Sequence, residues 1–273
     1  MTHPTKFKDL NALLADFTAA HQQVLGENLI GLYLQGSAAV GDMDEFSDVD
    51  FVAVLERDLN EAELNQMREL TLEFFNRKDE IAWAEHFEGS YFPLDLLKAL
   101  DRPRETVWYN DNGSKVLERN THCNTLIVRW CLWEYAIPLV GPSFKTLIDP
   151  IPTHLMKQEV KEVMVDWEGW IHDDLKMYSN RFYQTFIVIS YCRMLQTLAT
   201  GRVYSKPAGV RWGTENLHPK WHSLITKAHE VRDDSAVNVY TPANPAEMQA
   251  TLEFVTYTNK IAEKFYSQEQ TNV

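Results

Sequence analysis

Apolar residues recur along the chain with two different spacings, and the change between them divides the chain. Residues 7–25 and 60–77 carry apolar side chains three and four apart, which predicts helices. Residues 29–34 and 48–55 are nearly continuous apolar runs and predict buried strands, with a third strand predicted over 82–92. The first third of the chain therefore alternates helix and strand.

After about residue 120 only the helical spacing remains. Prolines at 138, 142, 150 and 152 interrupt the chain over 138–152, which predicts a connection between two parts. We therefore predict an α+β protein with an N-terminal α/β domain over residues 1–152 and an all-α domain over residues 153–273. The helices predicted beyond residue 120 cover residues 122–136, 153–178, 182–200, 219–231 and 244–266.

Net charge, cysteine spacing and the length of apolar runs limit the kinds of partner and the cellular location that we expect. The chain has 273 residues and a formal net charge of -13, which disfavours binding to nucleic acid and suits either a cationic small molecule or simple solubility. Cys123, Cys131 and Cys192 form no CxxC pair and predict reduced thiols. The N-terminus lacks the apolar segment of a signal peptide, and no apolar run is long enough to span a membrane. We expect a cytoplasmic protein, either a monomer or a weak homodimer.

One stretch carries recognisable chemistry. Gly36-Ser37 ends the strand predicted over 29–34, and Gly allows backbone to approach a phosphate whose oxygens the Ser hydroxyl can bind. Asp48 and Asp50 lie two apart on the next strand, so both carboxylates point to one face. Such a pair favours Mg²⁺ when substrate phosphates supply the other ligands, although Asp48 as a loop cap and Asp50 as an edge residue remain the alternative.

The strand, the Gly-Ser turn and the Asp-x-Asp pair together resemble the signature of the DNA polymerase β–type nucleotidyltransferase superfamily. Segments 88–97, 138–152 and 192–212 resemble those of the aminoglycoside nucleotidyltransferases that adenylylate streptomycin and spectinomycin. The resemblance implies a nucleotidyltransferase fold with a mixed sheet, a helical bundle, and a cleft between them for ATP and antibiotic. It also implies Mg²⁺-dependent transfer of AMP from ATP to a hydroxyl, with release of pyrophosphate.

The same resemblance implies roles for residues of the first domain. Gly36, Ser37 and Ser47 would hold the triphosphate, and Asp48 and Asp50 would bind Mg²⁺.

A third acid and two cations complete the implied site. Glu88, near the end of the third predicted strand, would take the proton from the acceptor hydroxyl, with Glu85 as the rival for this role. Arg193 and Lys206, from the helical domain, would bind phosphates. Arg193 lies in an apolar helix, where a guanidinium needs an anionic partner, either a phosphate or an internal carboxylate.

The acceptor is harder to predict. A polycationic substrate favours carboxylates and aromatic faces, which Trp167, Trp170, Asp173 and Asp174 supply on one predicted helix and Trp108 supplies in the first domain. The alternative is a core aromatic stripe beside a solvated acidic face. The residues that hold streptomycin in the family precede the helix carrying Arg193, and residues 176–183 here do not match them one for one.

Three functions remain open at this point. The first is adenylylation of an aminoglycoside or aminocyclitol hydroxyl. The second is nucleotidyl transfer to another metabolite or a protein hydroxyl, and the third is a non-catalytic nucleotide-binding module.

Overall fold

The computed structural model describes residues 3–102, 104–230 and 239–270, and the side chains among them as far as residue 265. The chain forms two compact units, residues 1–151 and 152–273. The predicted α+β class is confirmed, since one unit holds a mixed sheet and the other is helical. The predicted boundary after residue 152 lies one residue from the observed division.

The first unit is built on a six-stranded sheet. Its strands are β1 Leu29–Leu34, β2 Val49–Leu55, β3 Phe87–Pro93, β4 Val107–Asn110, β5 Leu117–Asn120 and β6 Ile137–Val140. The strand order is β5-β4-β3-β2-β1-β6, in which the two central strands β2 and β3 run parallel and the other neighbouring pairs run antiparallel. The α-helices of this unit are α1 Lys8–Leu25, α2 Gly36–Val40, α3 Glu61–Asn76, α4 Leu94–Lys98 and α5 Leu126–Tyr135.

In its described residues the second unit consists of α-helices and one 3₁₀ turn, Pro219–Trp221. Asn180 caps the start of the helix Arg181–Thr200 by accepting a hydrogen bond from the Tyr183 amide, and Gly201 ends that helix with a left-handed φ of 71°. The prediction of a helix over 219–231 extends to residue 231, which lies outside the described residues. The helices are α6 Thr153–Asp173, α7 Leu175–Tyr178, α8 Arg181–Thr200, α9 Lys206–Asn216, α10 His222–Glu230 and α11 Pro245–Gln270.

Local prediction was wrong in two places that matter for the site. Ala82–Glu85 forms a 3₁₀ turn rather than the start of β3, because its amides bond locally: the Ala84 amide donates to the Ile81 carbonyl at 2.9 Å, and the His86 amide to the Trp83 carbonyl at 3.1 Å. Cys123 was predicted within a helix, but α5 begins at Leu126 after the cap residue Thr125, so Cys123 lies in the preceding loop.

Aromatic packing fixes one face of β3 against α1. Phe17 of α1 stacks on Phe87 with ring centroids 4.1 Å apart. His21, one turn later, places Nε2 3.0 Å from the Tyr91 hydroxyl. Burial lowers the pKa of His21 to about 4, so its ring is neutral at neutral pH and suits this apolar surrounding. Glu88 is an odd number of residues from Phe87 and Tyr91, so it projects from the other face of the sheet.

No helix in the described part of the chain combines the length and the apolar character that crossing a membrane requires.

Candidate active site

Two carboxylates lie side by side at the centre of the sheet. Asp50 of β2 is in register with Glu88 of the parallel strand β3. Residues in register on neighbouring strands, about 4.8 Å apart, project from the same face. The Glu88 side chain is 16% exposed, and Asp50 is half-buried. Two like charges held this closely in partial burial destabilise each other unless hydrogen-bond donors or a cation balance them.

The turn after β1 packs directly on Asp50. Gly36 has a φ of 56°, and a Cβ at this position would overlap the Asp50 carboxylate. The turn is joined to β2 by a hydrogen bond of 2.9 Å from the Gln35 amide to the Asp50 carbonyl. Glycine is therefore required here both for the left-handed backbone and for the close approach.

Ser37, the next residue, has a hydroxyl that is buried and has no hydrogen-bond partner among the described residues. A buried donor without a partner costs free energy that a ligand can recover. Together with the start of α2, whose first amides have no partner within the helix, this hydroxyl is suited to an anion.

Asp48 precedes β2 rather than lying in it, because that strand begins at Val49. Its Oδ1 accepts a hydrogen bond from the Asn112 side-chain amide. Asn112 Oδ1 lies 3.1 Å from His86 Nδ1, so the loop after β4 is tied to the residues that lead into β2 and β3.

Glu88 is held by two donors at one oxygen. The Tyr109 hydroxyl, on β4, lies 2.6 Å from Glu88 Oε1, and His122 Nε2 lies 3.4 Å from the same atom. Burial, followed by the charge of Glu88, raises the pKa of Tyr109, so the phenol keeps its proton and donates. The hydrogen bond to Glu88 raises the pKa of His122, which favours the imidazolium form.

Two predicted site residues have other partners in the structure. Ser47 was predicted to bind triphosphate, but its hydroxyl donates to Asp44 Oδ1 at 2.8 Å and closes the loop before β2. Glu85, the rival for the role of base, lies in the 3₁₀ turn and pairs with Lys78 at 3.1 Å. Glu85 is therefore outside the register that brings Glu88 beside Asp50.

Trp108 was predicted to contact the acceptor, and the structure places it on the face of the sheet opposite to that of Glu88. It pairs with Tyr91 across β3 and β4, so it projects away from Glu88. Its ring lies under two guanidinium groups, those of Arg119 at 4.6 Å and Arg68 at 5.5 Å. Trp108 is a packing residue on the face covered by α3.

Two family models match the chain. Residues 21–106 match the nucleotidyltransferase domain, and residues 146–257 match the C-terminal domain of aminoglycoside adenylyltransferase. The first match includes the Gly36 turn, Asp48, Asp50 and Glu88. The chain is a nucleotidyltransferase that resembles the aminoglycoside adenylyltransferases.

Characterised relatives are distant in sequence. The chain is 21% identical to an aminoglycoside (3'') (9) adenylyltransferase of Klebsiella pneumoniae, over 80% of this chain and 69% of the relative. It is also 21% identical to a spectinomycin 9-adenylyltransferase of Staphylococcus aureus, over 75% of this chain and 77% of the relative. The solved structure of spectinomycin adenyltransferase AAD(9) from Enterococcus faecialis with ATP and spectinomycin has the same fold, with a TM-score of 0.65, 16% identity, and coverage of 93% and 98% of the two chains.

In the helical unit of this nucleotidyltransferase, the two predicted phosphate ligands lie on packed helices. Arg193 of α8 donates from Nε to the Tyr204 carbonyl at 3.0 Å, which orients its guanidinium. A Cβ at Gly209 of α9 would overlap the Arg193 side chain, so the helices are in close contact there. Lys206, three residues before Gly209, lies on the same face of α9. Arg193 and Lys206 therefore belong to one region of this unit.

The predicted acceptor residues of the same unit divide into two groups. Trp170 is 53% exposed near the end of α6, and Asp173 is exposed one turn later on the same face. Asp174 instead caps α7 by accepting from the Met177 amide at 3.1 Å, which gives it a structural role. Trp167 packs against Phe186 with ring centroids 5.6 Å apart.

Sequence reasoning missed Tyr109, His122 and Asn112. Tyr109 and Asn112 lie on or just after β4, which has only four residues and is too short to give a periodic signal. His122 fell within the helix predicted over 122–136, whereas α5 begins only at Leu126. Sheet pairing and the loop before α5 bring these residues to Glu88 and Asp48.

Proposed function

We propose that this nucleotidyltransferase transfers AMP from Mg²⁺-ATP to a hydroxyl of an aminoglycoside or aminocyclitol antibiotic and releases pyrophosphate. The observation that carries the proposal is the register of Asp50 with Glu88 beside the Gly36 turn. The names of the relatives, all adenylyltransferases of such antibiotics, support the choice of donor and acceptor. An antibiotic-resistance role would follow from this activity.

The residues around Asp50 fit a bound magnesium nucleotide. Asp48 and Asp50 would hold Mg²⁺, which prefers carboxylate oxygens and completes its shell with substrate phosphates. When bound, Mg²⁺ neutralises phosphate charge and makes the α-phosphorus more electrophilic. The buried hydroxyl of Ser37, which has no partner among the described residues, would donate to a phosphate oxygen, and the absence of a side chain at Gly36 lets this turn lie directly on Asp50.

Glu88 would accept the proton of the acceptor hydroxyl. The hydroxyl oxygen then forms a bond to the α-phosphorus of ATP, the bond from that phosphorus to the bridging oxygen breaks, and pyrophosphate leaves. Tyr109 and His122 both reach Oε1 and so fix the rotation of the carboxylate before reaction. A base held in one orientation contributes most when it is within hydrogen-bond reach of its proton.

The helical unit would supply the remaining contacts. Arg193 and Lys206, near each other on α8 and α9, would bind phosphate oxygens. Trp170 and Asp173 would contact the cationic acceptor. Asp173 is the last residue of α6, where the helix dipole disfavours an acidic side chain. Its negative charge therefore does not stabilise the helix, and binding of a cationic acceptor accounts for it better.

The test is pyrophosphate release from Mg²⁺-ATP in the presence of single acceptors: streptomycin, spectinomycin, several other aminoglycosides, and myo-inositol as a cyclitol without cationic groups. We expect release with at least one antibiotic, none with myo-inositol, and an adenylylated drug in the mass spectrum. Silence with every drug while ATP still binds would contradict the acceptor class and direct the search to metabolite and protein hydroxyls. Equal release with myo-inositol would contradict recognition by charge.

A further inference from the structure

Glu88 belongs to a second cluster of potential metal ligands that differs in chemistry from the aspartates. A carboxylate oxygen of Glu88, a ring nitrogen of His122 and the thiol sulfur of Cys123 all lie within 4.8 Å of one another. Tetrahedral Zn²⁺, with bonds of about 2.0–2.3 Å, separates its ligand atoms by about 3.4 Å. Small side-chain rotations would therefore bring the three atoms to bonding distance.

The loop that carries His122 and Cys123 is held firmly. Asn124, which follows them, is fully buried, and its amide donates to the Glu105 carbonyl at 2.8 Å. Arg129 of α5, also fully buried, donates to Asn124 Oδ1 at 2.6 Å. Two neighbouring ligands on a fixed loop and a third on a central strand form a site that needs little ordering to bind a cation.

The mixture of sulfur, nitrogen and oxygen selects the kind of metal. Thiolate and imidazole ligands suit Zn²⁺ and similar cations, whereas Mg²⁺ binds oxygen and keeps its waters. Cys123 is 5% exposed, and burial raises the pKa of its thiol to about 12. The thiol is therefore inert without a metal, and a bound dication supplies the charge that stabilises the thiolate of Cys123 and the neutral imidazole of His122, with the proton of each group released to solvent.

We propose that Glu88, His122 and Cys123 form a site for a thiophilic divalent cation such as Zn²⁺, whose binding inhibits the enzyme. The His122 side chain is 62% exposed and offers the route of entry, while Glu88 and Cys123 lie deeper. The inhibitory effect rests on the proposed function of Glu88, since a carboxylate bound to Zn²⁺ no longer accepts a proton from an acceptor hydroxyl. The binding itself does not depend on that function.

Cobalt substitution tests the binding. The full-length protein, freed of metal and kept reduced, is titrated with Co²⁺, and the thiolate-to-Co²⁺ charge-transfer band is followed together with the visible bands. We expect a band that saturates at one Co²⁺ per chain, disappears in Cys123→Ser and is retained in the control Cys131→Ser, whose thiol lies on α5 outside the cluster. Addition of Zn²⁺ should abolish the band by displacing Co²⁺.

A second variant, His122→Asn, keeps the site testable if Cys123→Ser fails to fold. Because the His122 side chain is 62% exposed, we expect His122→Asn to keep the thermal transition and to weaken Zn²⁺ binding by at least about tenfold in competition with a chromophoric chelator. Absence of a charge-transfer band, its persistence in Cys123→Ser, or unchanged Zn²⁺ affinity in His122→Asn would each overturn the site.

Inhibition is measured separately, as pyrophosphate release at saturating Mg²⁺ with increasing Zn²⁺. We expect Zn²⁺ to inhibit the wild type and Cys131→Ser alike, and at least about tenfold more Zn²⁺ to be needed for His122→Asn. Equal inhibition of all three would contradict the inhibitory role while the Co²⁺ spectra still report the site. A protein that shows the Co²⁺ band but no transfer on any acceptor would contradict the proposed function alone.

Discussion

The carboxylates of the sheet unit and those of the helical unit are held in opposite ways. Asp50 and Glu88 lie side by side on the two central strands, and Tyr109 and His122 fix one oxygen of Glu88. Asp173, in contrast, is exposed beside the half-exposed ring of Trp170. Reaction at phosphorus requires fixed geometry, whereas contact with a flexible polycation tolerates exposed and mobile groups. Substitutions in the two regions should therefore differ in both size and kind of effect.

The largest effect is expected for Asp50→Asn. Transfer should fall to the background rate, because an amide replaces a carboxylate proposed to hold Mg²⁺. The free energy of unfolding should stay the same or rise, since one of two adjacent like charges is removed. Pyrophosphate release and urea unfolding measure the two quantities, with Glu85→Gln as the control acid of the same unit. Near-normal transfer would contradict the metal assignment.

The next effect is expected for Glu88→Gln. Loss of the base should lower kcat by about 10²–10⁴ while ATP binding is kept. Calorimetric titration with a non-hydrolysable ATP analogue and steady-state kinetics measure the two properties. Loss of ATP binding instead would show that Glu88 is a metal ligand or a structural residue. The distinction between Asp50 as a metal ligand and Glu88 as the base would then be wrong.

Gly36→Ala should combine a stability loss with an activity loss. Its positive φ and the overlap with Asp50 should lower the free energy of unfolding by about 1–3 kcal/mol. Gly41, with φ 80° and open space around its Cβ position, is the matched control, because Gly41→Ala has the backbone strain without the overlap. Transfer should fall in Gly36→Ala well below its level in Gly41→Ala. Equal activity of the two variants would show that the approach to Asp50 does not matter.

The smallest effects are expected in the helical unit. Trp170→Ala and Asp173→Asn should raise KM for the antibiotic about two- to fivefold and leave kcat unchanged, because exposed contacts contribute up to about 1 kcal/mol. Glu253→Gln, another exposed acid of this unit, should change neither constant. A fall in kcat as large as that of Glu88→Gln would remove the contrast between the two regions.

The sequence by itself determined the central strands, the Gly36 turn and the position of the acids at 48 and 50 beside a strand start, because continuous apolar runs and their polar ends are local signals. Glu88 was selected by the family resemblance and not by such a signal. The sequence also determined the change to helices and the left-handed end of α8 at Gly201. The strand predicted to contain Glu88 began too early, since the local hydrogen bonds that close the 3₁₀ turn Ala82–Glu85 leave no periodic signal in the sequence.

Only the tertiary structure decided which side chains surround the acids. Tyr109 and His122 lie 21 and 34 residues beyond Glu88 and reach it through pairing of β4 with β3 and through the loop fixed by Asn124. The same pairing places Trp108 on the face of the sheet opposite to that of Glu88. Within the loop before β2, the Ser47 hydroxyl donates a hydrogen bond to Asp44. A shift of one residue in the pairing of two strands moves every side chain of the shifted strand to the opposite face of the sheet. The register is therefore set by the packing of the whole core and not by the local sequence.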